Sequence, residues 1–463
     1  MQYDILKLIK GAIMAQEKIG FSYDFAKAIW KDLEKRGIPM RKDPIGLMDC
    51  RFTKEELAMV KSISLSDASM GIKGISNLVN LESLTITTSQ RTAYTPRNQL
   101  ISIEDRDIYE IEKLSKLKHL EITNQRLITS IDITNFPNLQ TLTLTRNENL
   151  EAIYGLSQNR SLYGLTIYDS NNLQRIADLD KFIEQNKNLE DLNLDVLMYP
   201  WAIGFNPRTN AVNQNALDKI TNDLPYATWT ETITRRDIKI NNHQMAEMHK
   251  IALDAVNKYC PRNVSDIETI AGVDRWLSRN VTYNHDALGT RHRAQSKNGL
   301  IQGPIGGVNG AYNAFKYKSC VCEGYTRAMQ YMLGLRGITT SNTHCIAEKD
   351  TLHLSEKEND TPYRFVQLPR DGYHSICRVE REGGIYYCDP CWNAGRYQSG
   401  DKSAPWLLLS KEQISEDHTL SYNEQNISHQ RPLPTEILDY AKNRTESRFN
   451  EIDGQTQNQD YEL

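Results

Sequence analysis

Five short segments share one pattern, and that pattern limits what this chain can fold into more than any other feature. ESLTI (82–86), KHLEI (118–122), QTLTL (140–144), YGLTI (163–167) and EDLNL (190–194) each carry an apolar-x-apolar core. A further leucine precedes each one, at Leu81, Leu117, Leu139, Leu162 and Leu189. Alternation over so short a span fits a strand with one buried face. The core leucines recur after 22 residues (Leu120 to Leu142), 23 (Leu142 to Leu165) and 27 (Leu165 to Leu192). Trailing pairs, Leu127 with Ile131, Leu150 with Ile153 and Leu173 with Ile176, complete each turn. A unit this small cannot bury its own apolar edge, so neighbours must stack. The 36-residue step from Leu84 to Leu120 implies an insertion, for which TSQRTAYTPRNQL has the right turn-forming composition.

The spacing and the L-x-x-L-x-L core resemble the leucine-rich repeat. The resemblance implies a curved solenoid over residues 71–200 whose strand face is a partner-binding surface. Glu82, Ser83, Thr85, Lys118, His119, Glu121, Thr141, Thr143, Tyr163, Thr166, Asp191 and Asn193 are expected on that face. Their mix of charge and hydroxyl suits a polar protein interface and suits plain solvation equally. Upstream, residues 1–70 read as helical: ILKLIKGAIMAQ, YDFAKAIWKDLEKRG and TKEELAMVKSI, the last with Thr53 and Glu56 at capping-box spacing. This segment is expected to cap the exposed end of the repeats. Residues 201–241, rich in turn formers, read as a connector in which Trp201, Phe205 and Trp229 pack between two halves.

A formal charge of −4 argues against a nucleic-acid partner, which would call for a basic excess. No apolar run reaches the length of a membrane span. Met1 to Lys10 lacks the pattern of a cleaved secretory signal, so the chain is expected to be cytoplasmic or exported without one. Six of the eight cysteines fall between Cys320 and Cys391. In a reducing compartment such clustering suggests chemistry or metal rather than disulfides. Cys320, Cys322, Cys388 and Cys391 make a conceivable four-thiolate zinc set. A C-x-C half is unusual for such a site, however, and zinc would consume Cys322. Small thiols buried beside a sheet account for most of the cluster, and neither a metal nor a cofactor is expected.

Downstream of the repeats, HQMAEMHKIALDAVNKYC (243–260) and VSDIETIAGVDRWLSRN (264–280) read as amphipathic helices, with His243 and His249 expected at the surface. In KSCVCEGYTRAMQYMLGLRG (318–337), Tyr325, Ala328, Met329, Met332 and Leu333 fall at helical steps, and Gly337 is the stop. Cys322 therefore lies at the first turn of a helix, where free N–H groups and the helix dipole favour a thiolate. His374, in GYHSICRVE, sits on a predicted strand, and Asp389, in IYYCDPCW, at the end of another that Pro390 halts. A sulfur nucleophile needs a base, and the base needs a carboxylate to fix its tautomer.

C-E-G-Y at 322–325, the strand histidine His374 and D-P-x-W at 389–392 resemble, in that order, the transglutaminase-like superfamily. IAGVDRWLSRNVTYNHD (270–286) is similar to the family's lead-in helix and strand. The resemblance runs from about Asn242 to Tyr440 and implies a papain-like α+β domain over residues 242–440. It further implies that Cys322 is the nucleophile, His374 the base and acid, and Asp389 the orienting carboxylate. In that family the thiolate attacks a carboxamide or peptide carbonyl, and an amine or water resolves the thioester. The oxyanion needs donors, for which the Cys322 backbone N–H and a side chain from Tyr283, Asn284 or Gln302 are the candidates. The chain departs from the family after His374, where Ser375, Ile376 and Cys377 stand, and at Cys391, so the reaction subtype stays open. Cys320 is either a small turn residue or a thiol that gates activity through a disulfide. Residues 441–463 read as a polar, frayed tail.

The sequence thus predicts a cysteine acyl-transfer enzyme whose repeats recruit a protein or peptide substrate. The pairing resembles bacterial effectors that modify host proteins. The alternative is an interaction protein whose C-terminal domain is catalytically silent.

Overall fold

The computed structural model describes residues 18–42, 46–66, 72–88, 102–170, 173, 176–233, 236–284, 310–347, 373–381, 383–420 and 431–460. ILKLIKGAIMAQ, nearly all of the predicted insertion and the loop carrying Gln302 lie outside them. The fold is mixed α/β.

Eight strands form one sheet in chain order: β1 (Ser62–Ser66), β2 (Ser83–Thr87), β3 (His119–Thr123), β4 (Thr141–Thr145), β5 (Gly164–Tyr168), β6 (Asp191–Asp195), β7 (Thr228–Ile233) and β8 (Arg236–Asn241). β1 to β7 run parallel and β8 turns back antiparallel to β7. The register aligns Leu84, Leu120, Leu142, Leu165 and Leu192 in one row, and Ile86, Ile122, Leu144, Ile167 and Leu194 in the next. All ten are buried. Each such side chain contributes about 1.5–3 kcal/mol over its exposed state, which explains why the leucine spacing dictates the register. The opposite rows carry hydroxyls and charges, for instance Ser64, Thr85, Glu121, Thr143 and Thr166. In the turns between strands, buried asparagines satisfy backbone carbonyls of the preceding unit: Asn147 on Ile122 (2.9 Å), Asn159 on Phe136 (3.1 Å) and Asn186 on Leu162 (2.6 Å).

Three strands fall outside the five predicted. β1, SISLS, precedes the first expected core, its Ile63 and Leu65 buried among exposed serines. β7 and β8 lie in the expected connector and extend the sheet, because Trp229, Ile238 and Ile240 are buried there. Helix α1 (Tyr23–Lys35) packs Phe25, Ala26, Ile29, Trp30 and Leu33 inward and touches the edge strand β1. Helix α2 (Lys54–Met59) starts at the predicted Thr53–Glu56 capping box.

Beyond β8 come α3 (Asn242–Tyr259), α4 (Asp266–Asn280), α5 (Ala311–Lys316) and α6 (Cys322–Gly334). A four-stranded antiparallel sheet follows, built from β9 (Thr340–Ala347), β10 (Tyr373–Arg381) and β11 (Gly384–Cys388), with helix α7 (Pro390–Gln398) and then β12 (His418–Leu420). Its order is β11-β10-β9-β12. Trp229 on β7 donates its indole N–H to Asn242 at 2.8 Å and meets Tyr199 edge-on, so the expected packing of this tryptophan at the junction is found. His249 is not a surface residue as expected. Its ring lies against Tyr199, Phe205 and Tyr331, with Nδ1 2.9 Å from the Tyr331 hydroxyl, and burial pushes the imidazole down to about 4.

The expected polar tail is also corrected. Thr435–Asp460 is one helix, α8, lying on α4. Ala441, Thr445 and Phe449 repeat at four-residue steps on its buried side, and Phe449 stacks on Tyr259 at 4.3 Å. Arg279–Asp453 (2.5 Å) and Arg448–Glu268 (3.3 Å) flank the seam.

Candidate functional site

Cys322 is the first residue of α6, after the N-cap Val321. Of the eight cysteines only Cys50 and Cys322 are half-buried; the other six are buried. Two contacts fix the start of this helix. The Thr326 hydroxyl lies 3.2 Å from the Cys322 carbonyl and 3.0 Å from that of Ser375, which ties the first turn of α6 to the strand next to His374. Tyr325 donates its hydroxyl to the Val281 carbonyl at 2.6 Å, bringing in the segment that holds Tyr283 and Asn284.

His374 lies on β10 opposite Cys345 of β9. Its Nε2 is 2.7 Å from Asp389 Oδ2, and Cys322 is the other side chain that acts on the ring. With Nε2 spent on Asp389, Nδ1 is the ring nitrogen left for sulfur. Burial alone would push this imidazole down, but the charge and hydrogen bond of Asp389, joined by those of Cys322, carry it well above its usual range.

Asp389 follows β11 and is fully buried. Pro390 does halt the strand, and it also opens α7, for which Asp389 is the N-cap. Oδ1 accepts from the backbone N–H groups of Cys391 and Trp392, each at 3.0 Å. Oδ2 faces two imidazoles, His374 and, at 3.2 Å, Nε2 of His418. Burial would raise this carboxyl, but His374 and then His418 hold it well below the usual carboxylate range. The buried cap explains why an aspartate stands here: four donors converge on one small side chain.

The structure therefore brings Cys322, His374 and Asp389 together. Of the oxyanion candidates, Tyr283 pairs with Cys320 in a short parallel ladder. Asn284 donates its backbone N–H to the Cys320 carbonyl at 2.9 Å and its side-chain amide to Ser319 at 3.2 Å. Both thus flank the segment entering Cys322. Gln302 lies outside the described residues.

Sequence reasoning missed His418 and Trp406. His418 comes from β12, a three-residue strand with no motif, and only its pairing with β9 brings it to Asp389. Trp392 of D-P-x-W sits between the rings, 4.5 Å from His418, 5.7 Å from His374 and 4.8 Å from Trp406. Next to it, Asn393 donates to Asp274 (2.9 Å) and to the Trp406 carbonyl (3.1 Å), fastening α7 to α4. His374, Asp389 and His418 form the one close group of three possible ligand residues among the described residues. Both histidines spend Nε2 on Asp389, so hydrogen bonding accounts for the group. The four cysteines considered for zinc do not gather into such a group. Cys320 is buried, and burial first, then Cys322 and Glu231, push its thiol well up.

A second missed feature lies behind α6. Arg327 is buried on α6, where burial opposes its charge but Asp195, Glu231, Glu323 and Asp169 outweigh that cost. Asp195, Glu231 and Asp169 belong to the repeat sheet or its turns. Glu231 also accepts the Ala311 N–H with both oxygens, at 3.1 and 2.9 Å. Gly310 must be glycine for this contact, because a Cβ there would stand 2.3 Å from Glu231 Oε2.

No protein-family model matches the chain, and no curated protein does. Among solved structures, it is similar to an internalin (inlF) from Listeria monocytogenes, at 20% identity and TM-score 0.24, over 37% of this chain and 56% of that one. It is similar to a TGase at 7% identity and TM-score 0.24, over 36% and 44%. The functional domain of InlJ from Listeria monocytogenes matches at 20% identity and TM-score 0.25, over 39% and 38%. The chain thus spans well under two thirds of the length of each, and at these scores the matches carry no argument about activity. Among the described residues no helix is long and apolar enough to cross a membrane.

Proposed function

We propose that this chain is a cysteine-dependent acyl-transfer enzyme of the transglutaminase-like kind, with a leucine-rich repeat solenoid that recruits a protein or peptide substrate. The observation that carries the reading is the buried His374, 2.7 Å from the buried Asp389, with Cys322 as the other group that favours its charged form. Nothing in packing alone requires an imidazole there, since a buried polar ring costs free energy unless both edges are satisfied.

In this mechanism the Cys322 thiolate, paired with the His374 imidazolium, adds to a carboxamide or peptide carbonyl carbon and forms a C–S bond. The electron pair moves to oxygen, which the Cys322 N–H and a donor from Tyr283 or Asn284 stabilise. As the C–N bond breaks, His374 gives its proton to the leaving nitrogen, which departs as ammonia or an amine. A thioester remains. His374, now neutral, takes a proton from the incoming amine or water as it attacks the thioester. Collapse breaks the C–S bond and regenerates the thiolate–imidazolium pair. Asp389 holds the ring and its charge throughout and keeps no proton. A primary amine as acceptor gives transglutamination; water gives deamidation of glutamine or cleavage of a peptide bond.

The hydroxyl- and charge-bearing rows of the repeat sheet support recruitment of a polar protein surface. The test is to incubate the full chain with a glutamine-bearing protein, a labelled primary amine and water as competing acceptors, and to read products by mass. Label incorporation, deamidation or cleavage, each lost in Cys322→Ala, supports the reading and assigns the acceptor. If no product forms and Cys322 is no more reactive than Cys50, the scaffold reading replaces it.

A further inference from the structure

In the site as described, one carboxylate oxygen serves two histidines. An aspartate that only orients His374 needs no second imidazole on the same oxygen, yet His418 Nε2 lies 3.2 Å from Asp389 Oδ2. Its other nitrogen, Nδ1, is 2.6 Å from Asp417 Oδ1. Asp417 is itself held in place, since its Oδ2 accepts the Trp406 indole N–H at 2.9 Å. His418 is fully buried, with Trp392 against its ring at 4.5 Å. Carboxylates accept hydrogen bonds and do not donate them. Both contacts are satisfied together only when each ring nitrogen carries a hydrogen, and a ring with both hydrogens is a cation.

We infer that His418 is a second positioning residue for the proposed acyl transfer: a buried cation that shares Asp389 Oδ2 with His374 and restrains the charge Asp389 presents to it. The inference rests on the Cys322–His374–Asp389 reading. In a simple triad the whole carboxylate charge acts on the base. Here His418 offsets part of it, so His374 gives its proton to the leaving nitrogen more readily than an unshared aspartate would allow. The groups facing His418 are few. Asp389 approaches from the turn before α7, Asp417 from its own segment and His374 from β10, with ring centres 5.6 Å apart. From β9 comes Cys345, whose thiol burial, Asp389, Cys322 and Asp417 push well up, so it stays neutral. His344 on the same strand is pushed down by burial first and then by Arg327.

The experiment measures alkylation of Cys322 by iodoacetamide in the full chain from pH 5 to 10, read peptide by peptide by mass spectrometry. The wild type, His374→Ala, His418→Phe, His418→Gln and Asp417→Asn are compared. The wild type should show a reactive plateau that His374→Ala abolishes, ending in an alkaline step where the His374 partner loses its proton. Removing a unit charge at the observed ring separation should move that step upward by about one to two pH units in both His418 variants. Asp417→Asn, which keeps the imidazole but weakens its hold on the second hydrogen, should move it the same way by less, and it carries the test if the ring variants do not fold. A merely structural His418 would lower the rate at every pH and leave the step in place. That result overturns the inference while leaving the triad reading intact. Absence of any His374-dependent plateau in the wild type removes the triad reading itself, and this inference with it.

Discussion

Replacing Glu231 by glutamine should flatten the pH dependence of this protein's stability. Glu231 is 2% exposed, and burial, against the opposing pull of Arg327 and the Ala311 N–H, pushes its carboxyl from 4.5 up to about 7. The folded state therefore holds a proton over a range where the unfolded chain has released it. The sign follows: Glu231 favours folding most below about pH 4.5, and that advantage is lost as pH rises through about 7. A shift of about 2.5 units corresponds to about 3 kcal/mol. Asp169 and Asp274, both also pushed up to about 7 mainly by burial, add to the same trend. Glutamine retains an acceptor for the Ala311 N–H and removes only the titrating proton, and Arg327 keeps Asp195, Glu323 and Asp169. Urea unfolding at pH 5 and pH 8 is the assay. The wild type should be less stable at pH 8, and the difference between the two pH values should shrink by about 2.5 kcal/mol in Glu231→Gln. Equal pH dependence in the two proteins would refute the claim that burial keeps this carboxyl protonated, and with it the account of the charged seam behind α6.

Asp389→Asn should leave the fold in place but cut His374-dependent turnover by about 10³–10⁴-fold, because the amide no longer fixes the ring or its charge; a loss under tenfold in product formation would contradict the assigned role. Gly310→Ala should destabilise by about 1–3 kcal/mol through the clash with the Glu231 carboxylate, seen as a lower melting temperature, and an unchanged value would argue against that contact. Phe449→Ala should cost about 3–5 kcal/mol and speed amide exchange in Asp266–Asn280, the helix on which α8 rests; exchange as slow as in the wild type would show that α8 is dispensable there.

How far the chain could be read before its structure depended on how locally each feature is encoded. The leucine rows were legible because a fixed spacing maps directly onto strand register, and Gly337 because a helix stop at φ 75° favours glycine. The Thr53–Glu56 cap was legible for the same reason. β1 was missed because its outward residues are serines and only Ile63 and Leu65 mark it. β7 was hidden in turn-rich sequence, and it is held by partners distant in the chain, such as Asn193, which accepts from Thr230 at 2.7 Å. α8 escaped because alanine and threonine fill much of its buried stripe. The site divided along the same line. Cys322, His374 and Asp389 stand in short motifs, whereas His418 and Arg327 acquire meaning only from what the fold sets beside them. No local pattern announces a lone histidine on a three-residue strand.

The central claim is that Cys322 is activated by His374. The direct measurement is iodoacetamide labelling of the full chain at pH 6, comparing Cys322 with Cys50, the other half-buried thiol. Labelling of Cys322 should be at least about tenfold faster than that of Cys50 and should fall to the Cys50 rate in His374→Ala. Equal rates in the wild type, or a fast Cys322 untouched by His374→Ala, would contradict the account.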